Sequence, residues 1–262
     1  MSPLNVERVR AALAGSSFSD VRFLAETTST NDDAAPLLGD PSAAGATMVA
    51  EFQSAGRGRK PGRAWVSAAG SALTFTTLLP DALETAALWA VPFWLALAVV
   101  DGVEAASGVR LDVRWPNDLD LGRRKAGGLL CISRVAGPSA HVGCGVGLNV
   151  RRPADGPAAA IEPPPAYLSD ANGSVEREQV LTGVLRAMDA LLPLLARPDQ
   201  VARAWERRAW LPGRRYRLRL DRDGSTLEGP ALRLDGEGGL VVQTADGERA
   251  VHLADARVLD TA

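Results

Sequence analysis

The stretch that most restricts the fold of this chain is Ala86 to Val100, which reads Ala-Ala-Leu-Trp-Ala-Val-Pro-Phe-Trp-Leu-Ala-Leu-Ala-Val-Val and carries no charge. It falls short of a bilayer span, which needs roughly 20 residues, and it contains Pro92. A helix apolar on every side is stable when protein surrounds it. The reading is therefore a buried core helix from about Thr85 to Ala106. With 262 residues the chain can bury such a core without disulfides or metal staples, as one large domain or two modest ones. Cys131 and Cys144 sit in apolar, strand-like stretches and read as buried free thiols. His141 and His252 have no ligand spacing and read as partly exposed strand residues, so a histidine-centred site is not expected. Met1 to Arg10 carries charges where a signal peptide needs an apolar run. The expectation is a soluble, cytoplasmic protein with no membrane association.

Charge narrows the partners. Lys and Arg total 29 against 31 Asp and Glu, a formal net charge of −2. That excludes a general polyanion binder but leaves room for a local basic site. Only Lys60 and Lys125 among the cations are lysines.

Periodicity and turn residues divide the chain further. A short helix is expected over Asn5 to Ala14, and strands over Val21 to Ala25, Ala46 to Phe52 and Ser71 to Leu79. After the core helix come strands over Val109 to Arg114, Gly127 to Val135 and Ala140 to Val150, with a turn at Pro116-Asn117-Asp118. Pro153 to Pro165 reads as a surface loop, Glu176 to Leu195 and Pro198 to Ala209 as helices. Beyond Leu211-Pro212-Gly213 four short strands follow, Arg214 to Leu220, Thr226 to Leu234, Gly239 to Thr244 and Glu248 to Leu253, separated by Asp-Gly turns. The expected architecture is an α+β domain with a mixed sheet over 1–210, then a small β-barrel or sandwich over 211–262.

Four stretches carry chemistry. Gln53 to Trp65 packs four cations and three glycines into Gly56-Arg57-Gly58-Arg59-Lys60-Pro61-Gly62-Arg63. Glycine lets backbone N–H groups approach a ligand, and arginine presents a planar fork to phosphate or carboxylate. The bland reading is a solvated turn or a Gly-Arg nucleic-acid segment. Arg114-Trp115-Pro116-Asn117-Asp118 puts an amide and a carboxylate at a strand tip, where they suit a magnesium ion or a ribose; an Asn-Asp turn needs no ligand at all. Lys125-Ala126-Gly127-Gly128 places a lysine at a strand mouth, in reach of a ligand carboxylate or α-phosphate, or else as an ordinary flanking charge. Gly143-Cys144-Gly145-Val146-Gly147-Leu148-Asn149 alternates glycines along a strand, either for close ligand approach or as a kinked core strand.

Taken together and in order, Ser29-Thr30-Asn31, Gln53-Ser54-Ala55-Gly56-Arg57-Gly58-Arg59, Trp115-Pro116-Asn117-Asp118, Lys125-Ala126-Gly127-Gly128 and Gly145-Val146-Gly147-Leu148-Asn149 resemble the biotin–protein ligases. The likeness runs from about Val21 to the C-terminus, where the small β domain resembles that family's SH3-like domain. The resemblance implies a mixed-sheet biotin/lipoate-ligase-like catalytic domain. It implies synthesis of biotinyl-5′-AMP from biotin and ATP with Mg²⁺, release of pyrophosphate, and transfer of biotin to one lysine of a biotin carboxyl carrier domain, acetyl-CoA carboxylase being the usual owner. By the same likeness Ser29, Thr30 and Gln53 hold the ureido head of biotin. Gly56 and Arg57 shape the pocket floor and its loop, and Gly128 lies along the biotin tail. Arg57 and Arg59 meet the phosphates, and Trp65 covers the adenylate. Lys125 meets the biotin carboxylate and the α-phosphate. Asn117 and Asp118 bind nucleotide and metal, and Asn149 sits by the adenine.

The loop is about one residue longer than the family pattern, through Lys60-Pro61, and Pro61 stiffens it. Some members carry an N-terminal helix-turn-helix domain. The twenty-five or so residues before Thr27 are too few for one, so no operator binding and no nucleic-acid partner is expected. Oligomeric state varies in the family, which leaves a homodimer open. Two other readings were weighed: a nucleic-acid-binding protein, which lacks interleaved aromatics here, and a lipoate ligase of the same architecture.

Overall fold

The computed structural model describes residues 3–157 and 164–261. The middle of the expected Pro/Ala-rich loop, 158–163, lies outside the described residues.

The first and larger sheet has eight strands. They are β1 (Val21–Thr27), β2 (Thr47–Gln53), β3 (Ala72–Leu78), β4 (Leu83–Glu84), β5 (Asp112–Arg114), β6 (Asp118–Leu121), β7 (Arg124–Ala136) and β8 (Ser139–Asn149). Their order is β1-β2-β3-β8-β7-β6-β5, with β4 beside β8. Only β1 and β2 run parallel, so the sheet is mixed. The sequence reading missed β4 and β6. Asp118, expected in a turn, instead opens β6 and pairs with Arg114 across a tight connection.

The helices are α1 (Val6–Ala12), α2 (Thr30–Ala34), α3 (Val91–Ser107), α4 (Arg177–Leu191) and α5 (Pro198–Arg208). The apolar run is split where a single helix was expected: Thr85–Ala90 is a 3-10 turn and α3 begins at Val91. Pro92 stands in the first turn of α3, where its missing N–H has no partner to lose. Gly108, at φ 69°, ends the helix and returns its N–H to Glu104 O. Thr85–Ser107 and Arg177–Ala196 are long and apolar enough to cross a membrane by length and composition, but 67% of the first one's apolar window is buried inside the protein. Its packing is close. A Cβ on Gly102 would lie 2.5 Å from Val184 Cα, so the α3 and α4 backbones touch. Phe93 meets Trp205 of α5 edge-on at 5.1 Å, and Trp94 donates to Leu191 O at 2.8 Å.

After Leu211 come β9 (Arg215–Leu220), β10 (Thr226–Leu234), β11 (Leu240–Thr244), β12 (Gly247–Val251) and β13 (Ala256–Thr261), in the order β12-β11-β10-β9-β13. The period-2 burial of β9 is what its alternating arginines predict. β13 was not anticipated. The small β-barrel or sandwich expected here is a five-stranded sheet that does not close: among the described residues no pairing joins β12 to β13. β12 has one buried side chain, Val251, and so little apolar surface to draw it over the opposite edge. Cys131 and Cys144 are free and directly opposed on β7 and β8; Cys144 is buried, Cys131 only half so. His141 lies half-buried on β8, whereas His252 follows β12.

One hydrophobic cluster runs from α1 through the larger sheet into β9–β13. Trp115 is its pivot. It is fully buried, its backbone N–H donates to the Tyr216 hydroxyl at 3.2 Å, and its indole N–H donates to Gly238 O at 3.2 Å. Burial pushes the Tyr216 phenol above its usual range, keeping it neutral. Trp115→Ala is expected to destabilise the fold by about 3–5 kcal/mol, through the cavity and the orphaned Gly238 carbonyl. A urea titration checks this. A loss under about 1 kcal/mol would remove Trp115 as the pivot.

Candidate active site

A cleft of about 490 Å³, its open mouth included, lies where β7 and β8 meet the end of β2, the start of α2 and the Gly/Arg segment. Its floor is made of glycine. Gly145, Gly147 and Gly128 line it, and Gly128 pairs with Gly147 across β7 and β8. Side chains there would fill the groove. A Cβ on Gly147 would lie 2.6 Å from the Trp65 indole, and one on Gly145 would lie 2.5 Å from Leu130 O.

At one end, a chain of hydrogen bonds fixes which atoms face the cleft. Leu130 O can only accept, so Asn31 must present Nδ2 to it, at 3.1 Å. Asn31 Oδ1 then accepts from the Thr76 hydroxyl at 2.7 Å. Thr76 has given up its only proton, so at 2.8 Å the Thr30 hydroxyl is the donor of their shared bond. Thr30 Oγ1 is left with lone pairs to offer a ligand. Gln53 Oε1 accepts from the Thr30 backbone N–H at 2.8 Å, so the Gln53 amide keeps its NH₂ for a ligand. Ser29 precedes α2 without capping it through its side chain. This end of the cleft offers an acceptor and donors side by side, in a setting nearly closed to water.

At the other end the charges alternate. Buried Asp120 holds Arg114 at 2.7 Å; Arg114 holds Asp118 at 3.0 Å; Asp118 holds Lys125 Nζ at 2.5 Å. Burial opposes the charge on Arg114, but Asp118 and Asp120 outweigh it and its pKa is raised. Burial pushes the Asp120 carboxyl up, and Arg114 only partly offsets this. The last member, Lys125, is 43% exposed and lines the cleft, so a soluble anion can compete for it.

The Gly/Arg segment is a small hairpin. Trp65 N–H donates to Gly56 O at 2.9 Å, Gly58 N–H to Arg63 O at 2.7 Å, and Arg57 bridges Ala64. Its turn closes by Arg63 N–H to Lys60 O at 3.1 Å, with Pro61 and Gly62 between them and Gly62 at φ 75°. That is the type II pattern, with proline at the second position and glycine at the third. The Gly/Arg segment is thus a folded wall of the cleft, with the stiffness that Pro61 led one to expect. Arg57 pairs with Asp32 at 2.5 Å. The Trp65 indole N–H is buried without a partner, one of two such side-chain atoms among the described residues.

Comparison with known proteins places this architecture. The family model for the Biotin/lipoate A/B protein ligase family matches residues 24–149. The biotin–acetyl-CoA-carboxylase ligase of Paracoccus denitrificans is 34% identical over 249 residues, 89% of this chain and 98% of that one. The chain belongs to the biotin–protein ligase family. The enzyme of the same name from Mycobacterium tuberculosis is 28% identical over 97% of this chain and 95% of its own. The biotin protein ligase from Aquifex aeolicus, solved in complex with biotin and ATP, matches with a TM-score of 0.73 at 23% identity, covering 93% of this chain and 100% of that one. At that identity the likeness speaks for the fold.

Within this family's cleft, Ser29, Thr30, Gln53, Arg57, Arg59, Trp65, Asn117, Lys125 and Gly128 all line the wall. Three residues singled out from the sequence do not. Gly56 is buried beneath the hairpin, where a Cβ would strike Trp65 O at 2.4 Å. Asp118 stands behind Lys125. Asn149, on the same face of β8 as Gly145 and Gly147, is buried and donates to Ala166 O at 3.1 Å rather than lining the cleft. Asn117 also uses its amide nitrogen internally, on Leu129 O at 2.7 Å. Thr76 and the backbone of Leu130 were missed; nothing in an apolar, β-branched strand marks one threonine out.

Asp118 is the one carboxylate the sequence reading assigned to Mg²⁺. Among the described residues no group of three or more His, Cys, Asp or Glu gathers to hold a metal. Asp118, the candidate ligand, is already flanked by two cations.

Proposed function

We propose that this chain activates biotin with ATP to biotinyl-5′-AMP, releasing pyrophosphate, and then transfers biotin to a lysine of a biotin carboxyl carrier domain. The observation that carries the reading is the polar pattern of the nearly closed end of the cleft. A cyclic urea has two N–H donors beside one carbonyl acceptor. Thr30 Oγ1 faces the cleft as an acceptor, with the Gln53 NH₂ and the Ser29 hydroxyl as donors. The glycine floor then leads to Lys125, which suits a thin aliphatic tail ending in a carboxylate.

The chemistry asks for charge neutralisation more than for an activated nucleophile. In the first step a carboxylate oxygen attacks the α-phosphorus, and the bond to the β-phosphate oxygen breaks. Two anions must meet, and Lys125, Arg57 and Arg59 supply the opposing charge. Mg²⁺ arrives as the counter-ion of ATP, part of the substrate rather than of the protein. In the second step a neutral lysine amine attacks the acyl carbon, the anhydride C–O bond breaks, and AMP leaves. The Trp65 indole over Gly147 keeps that end of the groove dry and offers its N–H to the adenylate.

The relatives' names point to acetyl-CoA carboxylase as the owner of the carrier domain. A soluble, cytoplasmic enzyme fits the burial of α3. We place the domain boundary near residues 210 and 211, with β9–β13 as a small SH3-related β domain.

Incubation with apo carrier domain, ATP and biotin should add one biotinyl group to the carrier, read by intact mass. An unmodified carrier would reject the transfer step. A further expectation concerns Arg57, whose guanidinium is held at the cleft by Asp32. Arg57→Ala should raise the escape rate of the adenylate about tenfold, the value of one charge-assisted hydrogen bond. Biotin affinity should stay within twofold of wild type. Unchanged escape in a quenched-flow trap experiment would remove Arg57 from the phosphates.

A further inference from the structure

The cationic hairpin does not stand free over the cleft. Its tip reaches the C-terminal sheet. Lys60, the first residue of the type II turn, is ion-paired with Asp221 in the turn that follows β9. Its neighbour Arg59 donates to two backbone carbonyls at the β12–β13 connection, Leu253 O in the turn and, at 3.2 Å, Ala256 O at the start of β13. These contacts join residues more than 160 positions apart in sequence. They come from the consecutive residues Arg59 and Lys60, at the start of the type II turn. Pro61 and Gly62 preform the turn, and the turn carries Lys60 outward to Asp221.

The hairpin's other end is the wall of the active site. Arg57, Gly58, Arg59 and Trp65 line the cleft, and Trp65 lies on Gly147. Whatever fixes the tip therefore fixes the wall. The fixing is unequal. Lys60–Asp221 is partly exposed, with side chains 22% and 45% accessible, and adds little by itself. Arg59 is the firmer point: it is half-buried and its guanidinium donates to two backbone carbonyls at once.

We propose that the C-terminal sheet is the outer clamp of the cationic hairpin. Arg59 is the main anchor; Asp221 is a positioning residue that, through Lys60, adds to its hold on the wall and lengthens the stay of the acyl-adenylate by a few-fold. The retention half of this statement rests on the ligase reading above; the clamp half does not. Arg59 thus has two competing sets of acceptors, the carbonyls of Leu253 and Ala256 and the phosphates of the nucleotide. Opening of the wall for product release is release of the tip.

The test uses the full chain. Amide hydrogen exchange of peptides covering residues 57–63 is measured without biotin or ATP, for wild type, Asp221→Ala, Asp221→Lys, Lys60→Asp and the double exchange Lys60→Asp with Asp221→Lys. Adenylate escape and biotin affinity are measured alongside. The clamp predicts faster exchange, by about three- to fivefold, in the single variants, return towards wild type in the double exchange, and escape rates that follow the same order with biotin affinity unchanged. A merely structural role for Asp221 would not be rescued by swapping the charges. Exchange at the wild-type rate in both Asp221 variants, or no rescue, would overturn the clamp. Normal exchange behaviour with no adenylate formed by wild type would instead overturn the ligase reading and leave the clamp standing.

Discussion

Replacing Lys125 with alanine is expected to cut biotin-dependent pyrophosphate release by about a hundred- to a thousandfold, the range found when one preorganised donor to developing charge is removed. The reason is specific to where Lys125 ends its chain of charges. Asp120, Arg114 and Asp118 alternate from the interior outward, and Lys125 alone of the four lines the cleft. Deleting it does more than subtract one positive charge. It bares Asp118, a carboxylate 18% exposed, to the side from which a carboxylate and a triphosphate must come. Lys125→Arg keeps the charge and should recover part of the rate, since a guanidinium pairs with Asp118 and with an α-phosphate but in a wider geometry. Asp118→Asn together with Lys125→Ala should be less damaged than Lys125→Ala alone. Single-turnover rates measure this, and a rate for Lys125→Ala within tenfold of wild type would remove Lys125 from the reacting carboxylate.

Gly145→Ala should weaken biotin binding about a hundredfold, with little effect on ATP affinity. Its Cβ would lie 2.5 Å from Leu130 O and 2.6 Å from Asn31 Oδ1. The first neighbour is backbone and cannot turn aside; the second is an amide held at both ends. If Asn31 swings away, Thr76 loses its acceptor, Thr76 can then donate to Thr30, and the lone pairs that Thr30 kept for a ligand are no longer fixed. Two hydrogen bonds to the ligand, each worth up to about 1.5 kcal/mol, account for the expected factor. Calorimetric titration of biotin and of ATP separately reads the split. Equal losses for both would show a general collapse of β7 and β8 rather than a disordered ureido site.

The parts of this molecule that were legible from the sequence are those with a local cause. The alternating arginines of Arg215–Leu220 give a half-buried strand, and the uncharged run gives α3. The turn of the hairpin was in principle legible too, because Pro61-Gly62 is type II chemistry; the sequence reading took from Pro61 only that the loop is stiff. What was not legible depends on partners far along the chain. Thr76 looks like any strand residue until α2 brings Asn31 over it. Asn149 was expected beside the adenine, yet its amide is taken by Ala166 O. That β12 and β13 stay unpaired at the two edges of their sheet could not be read from either strand alone. The clamp on Arg59 joins it to Leu253, and no periodicity reports a contact across that distance.

The central claim is that the nearly closed end of the cleft reads a cyclic urea and that the chain adenylates the acid carrying it. Pyrophosphate release with ATP and biotin, run beside ATP and lipoate, tests it most directly. Release should be rapid with biotin and at background with lipoate, whose dithiolane offers no N–H to Thr30 and no carbonyl to Gln53. Release with lipoate and none with biotin would contradict it.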